Sequence, residues 1–409
     1  MTVSPASGVA LPGAPATLTV TADGTGLEPQ AAPYSAKITI TASGVPAASR
    51  AQNVTVNLTV NAEQAVLSSL WPSAARTNSG PVTVTIRGTK FYKASVARIQ
   101  GVTAPLATTY LSANALLAVI PASALTSTAT LPILVSNPAP GGDSTPLQFT
   151  VSSGPVVQAV MNAASYEASA IAPGEIVTLF GGDIGPETPV TMTASSGPVT
   201  VDGSPGVANF VATTAGGLTV TIDGLAAPIL YAERNQVTVQ VPYNVTLGAG
   251  KQVAVNNGPT TAAGTVTIAS AVPGLFTLDQ SGKGQAVCLI YDPNTQQYAL
   301  NSASTPAKIG DTVVLYLTGA GDYASGITPR TGLLVPLLAS YPQVNPLPTV
   351  TIGGAPATVQ YAGPSFGSLL GVLQLNAVIG PGAVANKAAP VVVSFGGVNT
   401  QTGATINLK

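Results

Sequence analysis

The chain has 409 residues, of which 45% are hydrophobic and only 7% charged. That is enough apolar material for several cores, which excludes disorder and argues for about two to four domains. Fourteen basic and fifteen acidic residues leave a net charge of −1, and there is no histidine. A near-neutral chain lacks the clustered Lys and Arg that release counterions from nucleic acid. Without histidine, every Ser-His or Cys-His nucleophile and the commonest metal ligand are also excluded.

Thr, Val, Gly (43) and Pro (35) dominate, and strong helix formers are few. Thr and Val suit pleated, half-buried positions, while Gly and Pro punctuate turns, so the expected class is all-β. In chain order, the first 61 residues read as strands around a V-S-P-x-S-G turn that starts at Val3. Three passages then repeat one order of elements. Each opens with a strand and a Gly-containing turn: GPVTVTIRGTKF (80–91), APGEIVTLFGGDIG (172–185) and KIGDTVVLYLTGAGDY (308–323). A strand–tight turn–strand unit follows at 97–110, 220–232 and 350–362. In the last two, the Gly of IDG or IGG falls where a hairpin needs positive φ. A further strand comes next (113–125, 234–245, 368–379), and a final hairpin closes each passage (133–151, 252–270, 390–408). Val237, Val239 and Val241 alternate with Thr238 and Gln240, as in a strand with one buried face. Short strands at such spacing predict tandem β-sandwiches. Linkers around Asn61–Glu63, Ser152–Pro155 and Ala271–Gly274 are short, which predicts a stiff elongated array. The expected domains are 1–61, 62–153, 154–271 and 272–409.

The opening AVLSSLWPSAARTNSGPVTVTIRGTKF of the first passage resembles the IPT/TIG type of immunoglobulin-like domain. NAASYEASAIAPGEIVTLFGGDIGP, LYAERNQVTVQVPYNV, VPGLFTLD, GDTVVLYLTGAGDY and VTIGGAPATVQYAG resemble an uncharacterised C-terminal module of large secreted acidobacterial proteins. Residues 1–61 resemble the later part of a BACON-like module, as if its first strands lay before Val3. These resemblances imply immunoglobulin-like sandwiches in an extracellular or cell-surface protein. An incomplete first sandwich would leave an edge for a donated strand.

Candidate chemistry is sparse. The G-x-S-x-G at Gly363–Gly367 has no histidine partner and lies between two predicted strands, so it is expected to be fortuitous. The nearest grouping of acids is Glu175, Asp183 and Glu187, read mainly as a solvated loop. Cys288, the single cysteine, is expected to be a small buried hydrophobe. No uninterrupted apolar run reaches transmembrane length. No catalytic, cofactor-binding or metal-binding residue is expected. Two contact candidates remain. Tyr291 and Tyr298 flank the polar tip DPNTQQ (292–297) and form a candidate ligand-contact loop. Leu333, Leu334, Val335, Leu337 and Leu338, in the long insertion 324–348, form a candidate assembly or contact surface, with burial in their own domain as the alternative. Two functions follow: a non-enzymatic structural protein that self-associates into a homopolymeric fibre or sheath, or a stalk or binding module for a surface glycan or protein ligand. Nucleic acid is not an expected partner.

Overall fold

The computed structural model describes residues 1–10, 15–30, 32–43, 45–46, 50–322, 326–328 and 330–409. They are all-β, as the composition predicts, with one short 3-10 turn at Ala122–Leu125. The chain divides into two compact units. One comprises Met1–Leu67, Gly88–Ala118 and Leu134–Pro146; the other comprises Ser68–Arg87, Val119–Ile133 and Leu147–Lys409.

The first unit starts with two separate antiparallel ladders, Thr2–Ser4 with Thr19–Thr21 and Tyr34–Thr41 with Ala51–Leu58. Their side chains bury little. Among the described residues the buried hydrophobic side chains begin only at Ala62, and Val20, Ile40 and Val54 are exposed. Further along, Phe91, Ala97, Leu116 and Val135 are fully covered. Asn137 is the polar centre of this unit. Its Oδ1 accepts from Ser95 Oγ (2.6 Å), and its Nδ2 donates to the carbonyls of Glu63 (2.7 Å) and Lys90 (2.8 Å).

The second unit holds two large cores. In the first, a five-stranded sheet orders Ala159–Asn162, Ile176–Phe180, Gln236–Gln240, Ile229–Glu233 and Val190–Thr191. It faces a sheet built from Leu218–Ile222, Gly248–Asn257 and Thr260–Ile268. Val177, Leu179, Val220, Ile222, Val237, Val239, Val253 and Val255 fill the space between. Val237, Val239 and Val241 point inward and Thr238 outward, as the alternation requires. The second core lies inside a continuous eleven-stranded sheet. Cys288, Val313, Leu315, Leu317, Leu373, Leu375, Val391, Val393 and Ile406 line it.

The repeated order seen in the sequence becomes a repeated pairing. Ile176–Phe180 runs antiparallel to Gln236–Gln240, and Thr312–Thr318 runs antiparallel to Val372–Val378. The tight turns also correspond. Ile222 pairs with Leu225 across Asp223 and Gly224 (φ 53° and 78°). Ile352 pairs with Ala355 across Gly353 and Gly354 (φ 58° and 83°). Two consecutive residues with positive φ give the two-residue turn whose twist matches the strands.

The two cores are bound into one body. Ile327–Thr328 and Leu333–Leu334, from the long insertion, add to the two edges of the hairpin Ala194–Val201/Ser204–Val211. Beneath this small sheet Val199, Ala208, Tyr243, Ile327, Leu333, Val335 and Leu370 form a satellite core.

Candidate functional site

The insertion is pulled inward by strand pairing. Leu333 and Val335 are buried, and Leu334 and Leu338 are half-buried. Leu337 alone of the five stands out, 78% exposed. The expectation that all five form a contact surface is therefore corrected for Leu333 and Val335. Leu333 lies opposite Phe210 in the ladder, and the Leu370 N–H donates to its carbonyl (2.9 Å). Positions 324, 325 and 329 of the insertion lie outside the described residues.

The acidic grouping also comes apart. Asp183 accepts from Arg234 (2.7 Å), with Arg76 at 3.8 Å, and Glu187 lies 3.6 Å from Arg234. Arg234 beside Asp183 holds its carboxyl below the usual range. These are exposed ion pairs, which contribute little to stability. Glu175 is elsewhere in chemical terms. It is fully buried, and its Oε2 accepts from the Ala172 N–H (2.6 Å). Its Oε1 has no hydrogen-bond partner among the described residues. Burial pushes this carboxyl well above its ordinary range, against the pull of the Ala172 N–H. Among the described residues no three His, Cys, Asp or Glu side chains gather as a metal site. Cys288 is buried, and burial pushes its thiol up to about 12, so it is packed as a hydrophobe.

What does converge is aromatic. Tyr291 and Tyr298 lie opposite each other across the 288–292/297–300 hairpin, with ring centroids 5.1 Å apart and planes tilted by 39°. Asp292 fixes the tip by accepting from the Asn294 N–H (2.9 Å) and Thr295 Oγ1 (3.0 Å). Tyr298, 56% exposed, forms one wall of an open groove of about 520 Å³. Tyr316, Tyr341, Tyr361 and Phe366 line the rest, over a floor that includes Gln374 and Asn376.

The placement follows from register. Tyr316 lies opposite Gln374, and Asn376 lies opposite both Val314 and Tyr361. Residues opposite one another share a face, so the alternation that buries Leu315, Leu317, Leu373 and Leu375 turns Tyr316, Gln374 and Asn376 outward. Gln374 Nε2 donates to Asn376 Oδ1 (3.0 Å), which orders the two amides. Tyr361 donates its hydroxyl to the Pro364 carbonyl, and burial, then Tyr341, pushes that hydroxyl up to about 12. Burial, then Tyr298, raises Tyr316 as well. Gly363–Gly367, the G-x-S-x-G match, is the loop that carries Phe366 to the rim, 65% exposed. None of the ten described residues that line it is charged.

Tyr298 is thus the one described residue of this groove that the sequence offers as a ligand contact; Phe366 lies in the G-x-S-x-G match, which the sequence reads as fortuitous. Tyr316, Tyr361, Gln374 and Asn376 are outward positions of strands that pair only in the fold. Their signal was there in the alternation of VVLYLT and VLQLNAV, but the pairing order was not.

With this geometry in place, the chain can be set beside known proteins. Residues 65–151 match the model of the IPT/TIG domain. That segment is similar to an IPT/TIG domain. Strands Val66–Trp71, Val82–Thr89, Val96–Ile99, Ala107–Ser112, Ala115–Ile120, Ala129–Asn137 and Leu147–Ser152 make up about half of the matched residues. No curated protein matches the chain. Among solved structures, it is similar to the Bacteroides ovatus mixed-linkage glucan utilization locus protein SGBP-B in complex with a mixed-linkage heptasaccharide. The identity is 12% over 83% of this chain and 67% of that one, with a TM-score of 0.27. It is similar also to the plexin A4 extracellular region (13% identity, 83% of this chain and 30% of that one, TM-score 0.19). A third similarity is to a chimeric titin Z1Z2 (11%, 51% and 98%, TM-score 0.18). The groove lies outside the IPT/TIG segment, in residues 289–376.

Proposed function

We propose that this chain is a non-enzymatic extracellular binding module. In this reading its tyrosine-lined groove takes a neutral glycan, and the remaining sandwiches act as a spacer. The observation that carries the reading is the combination in one open groove of aromatic rings, two ordered amides and no charge. A sugar ring has an apolar C–H face and a rim of hydroxyls. Tyr298 and Phe366 offer the apolar surface, while Gln374 and Asn376 offer donors and acceptors together. A charged ligand would find no partner in this lining. The groove volume is within the usual range for a small-ligand site, about 300–1,000 Å³.

Electrophoresis through gels containing soluble neutral β-glucan, α-glucan, mannan or xylan tests this. The wild-type chain is expected to be retarded by at least one of them, and Tyr298→Ala and Phe366→Ala to run unretarded while remaining folded. No retardation by any neutral polysaccharide, or equal retardation of the variants, overturns the reading.

A second reading rests on Leu337. A large apolar side chain this exposed, on a chain of such low charge, favours self-association into a homopolymer.

A further inference from the structure

A second groove, of about 660 Å³, lies on the same unit and shares one residue with the first. Tyr316 lines both. The second groove is framed by Tyr166, Tyr231, Gln236 and Thr238 on one side and by Phe276 and Leu278 on the other. None of the fifteen described residues that line it is charged either.

Register joins the two. Gly274 pairs with Thr318 and Leu275 with Leu317, and the ladder continues as the Phe276 N–H donates to the Tyr316 carbonyl (3.0 Å). Phe276 is therefore the neighbour of Tyr316 on one side, as Gln374 is on the other. Neighbours across a ladder share a face. Phe276, Tyr316 and Gln374 make one cross-strand row on the outer face, leading from the second groove into the first. At about 4.8 Å per strand, this row alone spans roughly 10 Å.

We infer that the two grooves form one path and that its ligand is a linear neutral oligosaccharide chain long enough to cross Tyr316. This rests on the glycan reading given above. Each groove by itself has the volume of a small-ligand site, and the two together exceed the upper end of that range, about 1,000 Å³. An extended chain uses such a path, because rings at Tyr298, Tyr316 and Tyr231 can each meet a different sugar unit. Side-chain amides recur along it, Asn376 and Gln374 in one groove and Gln236 and Gln280 in the other. Tyr231 donates its hydroxyl to Glu233 Oε2 (3.0 Å), which fixes its ring at the far end.

The test is calorimetric titration of the full chain with dimers, trimers and hexamers of the cello-, malto-, manno- and xylo-oligosaccharide series. In the series that binds, the hexamer is expected to bind about tenfold or more tightly than the dimer, which is about 1.4 kcal/mol. Tyr231→Ala should bring the hexamer down to dimer affinity and leave the dimer unchanged, whereas Tyr298→Ala should weaken both. Leu278→Lys, at the exposed rim of the second groove, repeats the test should Tyr231→Ala lower the unfolding midpoint. Equal affinity for dimer and hexamer, or a hexamer indifferent to Tyr231→Ala and Leu278→Lys, overturns the continuous path and leaves the single-groove reading standing. Failure of every oligomer to bind removes the glycan reading itself.

Discussion

The hydroxyl of Tyr243 donates to the carbonyl oxygen of Leu370 at 2.7 Å, a buried bond between residues 127 apart in the chain. It joins the loop after Gln236–Gln240 to the strand entry at Val372, and so ties the two cores of the second unit together. Around it Gly332 N–H donates to Gln240 Oε1 (2.7 Å), and Ile176 N–H to Thr318 Oγ1 (2.9 Å). Thr318 Oγ1 in turn donates to the Gly371 carbonyl (2.7 Å). A shared network of buried polar groups favours joint unfolding. Tyr243→Phe should lower stability by about 1–3 kcal/mol, since it leaves a buried carbonyl unsatisfied. Denaturant unfolding should show one transition for residues 154–409, shifted to lower midpoint. Two resolved transitions would refute the coupling.

The same junction depends on missing side chains. A Cβ at Gly371 would land on the carbonyl oxygen of Gly174 and 2.9 Å from Gln240 Nε2. One at Gly319, where φ is +80°, would land on the Val272 carbonyl. Gly371→Ala should therefore cost about 1–3 kcal/mol through overpacking, and Gly319→Ala more, because the conformation itself disfavours an L residue. Gly354→Ala, with open space around it but φ +83°, isolates the conformational cost. Thermal unfolding of the three variants should rank Gly319→Ala as the least stable.

Much of this was legible in the sequence, and the reason is periodicity. Val237, Val239 and Val241 alternate with polar residues, and the Asp223-Gly224 and Gly353-Gly354 pairs mark tight turns. Local signals of this kind fix strands and hairpins. They are silent on which strand lies beside which when the partners are far apart. Leu333 and Val335 read as an exposed apolar loop because their partners are distant: Phe210 lies opposite Leu333 from more than a hundred residues earlier, and Val335 exchanges backbone bonds with Gly367 and Ser368. Tyr316 and Gln374 looked like ordinary strand residues for the same reason. Asn162 and Glu175 carry no periodic signal at all, and their burial follows from the packing of two cores.

Glu175 makes stability depend on pH. Its carboxyl is raised well above the ordinary value in the fold, by burial first, and returns to the ordinary carboxylate range on unfolding. A raised folded value means that the folded state holds the proton more tightly. The stability this group contributes is complete below the unfolded value and is lost as pH rises through the folded value. Glu175→Gln keeps the shape and removes the titration. Urea midpoints measured from pH 4 upward should fall for the wild type and lose that component of the slope in Glu175→Gln. Parallel curves would show that Glu175 does not titrate in this way.

The N-terminal ladders should open first. Two-stranded ladders are marginal in water, and the strands before Ala62 bury few side chains. Hydrogen exchange of the chain should find the amides of Tyr34–Thr41 and Ala51–Leu58 exchanging orders of magnitude faster than those of Thr312–Thr318. Comparable protection at low concentration would mean that these strands are covered in solution by something beyond the described contacts.

Leu333 and Leu337 separate folding from association. Leu333 is fully buried in the satellite core, so Leu333→Asp places a carboxylate where it has no water, and should unfold the junction or cost several kcal/mol. Leu337→Asp falls on an exposed side chain and should change stability by about 0.5 kcal/mol or less. Sedimentation velocity over a wide concentration range then reads the association. If Leu337 is the contact, the wild type sediments as growing species and Leu337→Asp as a single chain with an unchanged unfolding midpoint. A wild type that remains a single chain throughout rules out the homopolymer. A wild type that associates as strongly as Leu337→Asp moves the contact to another surface. Because Leu337 is absent from the lining of the tyrosine groove, the substitution should leave glycan affinity unaltered, so association and binding can be scored on one protein.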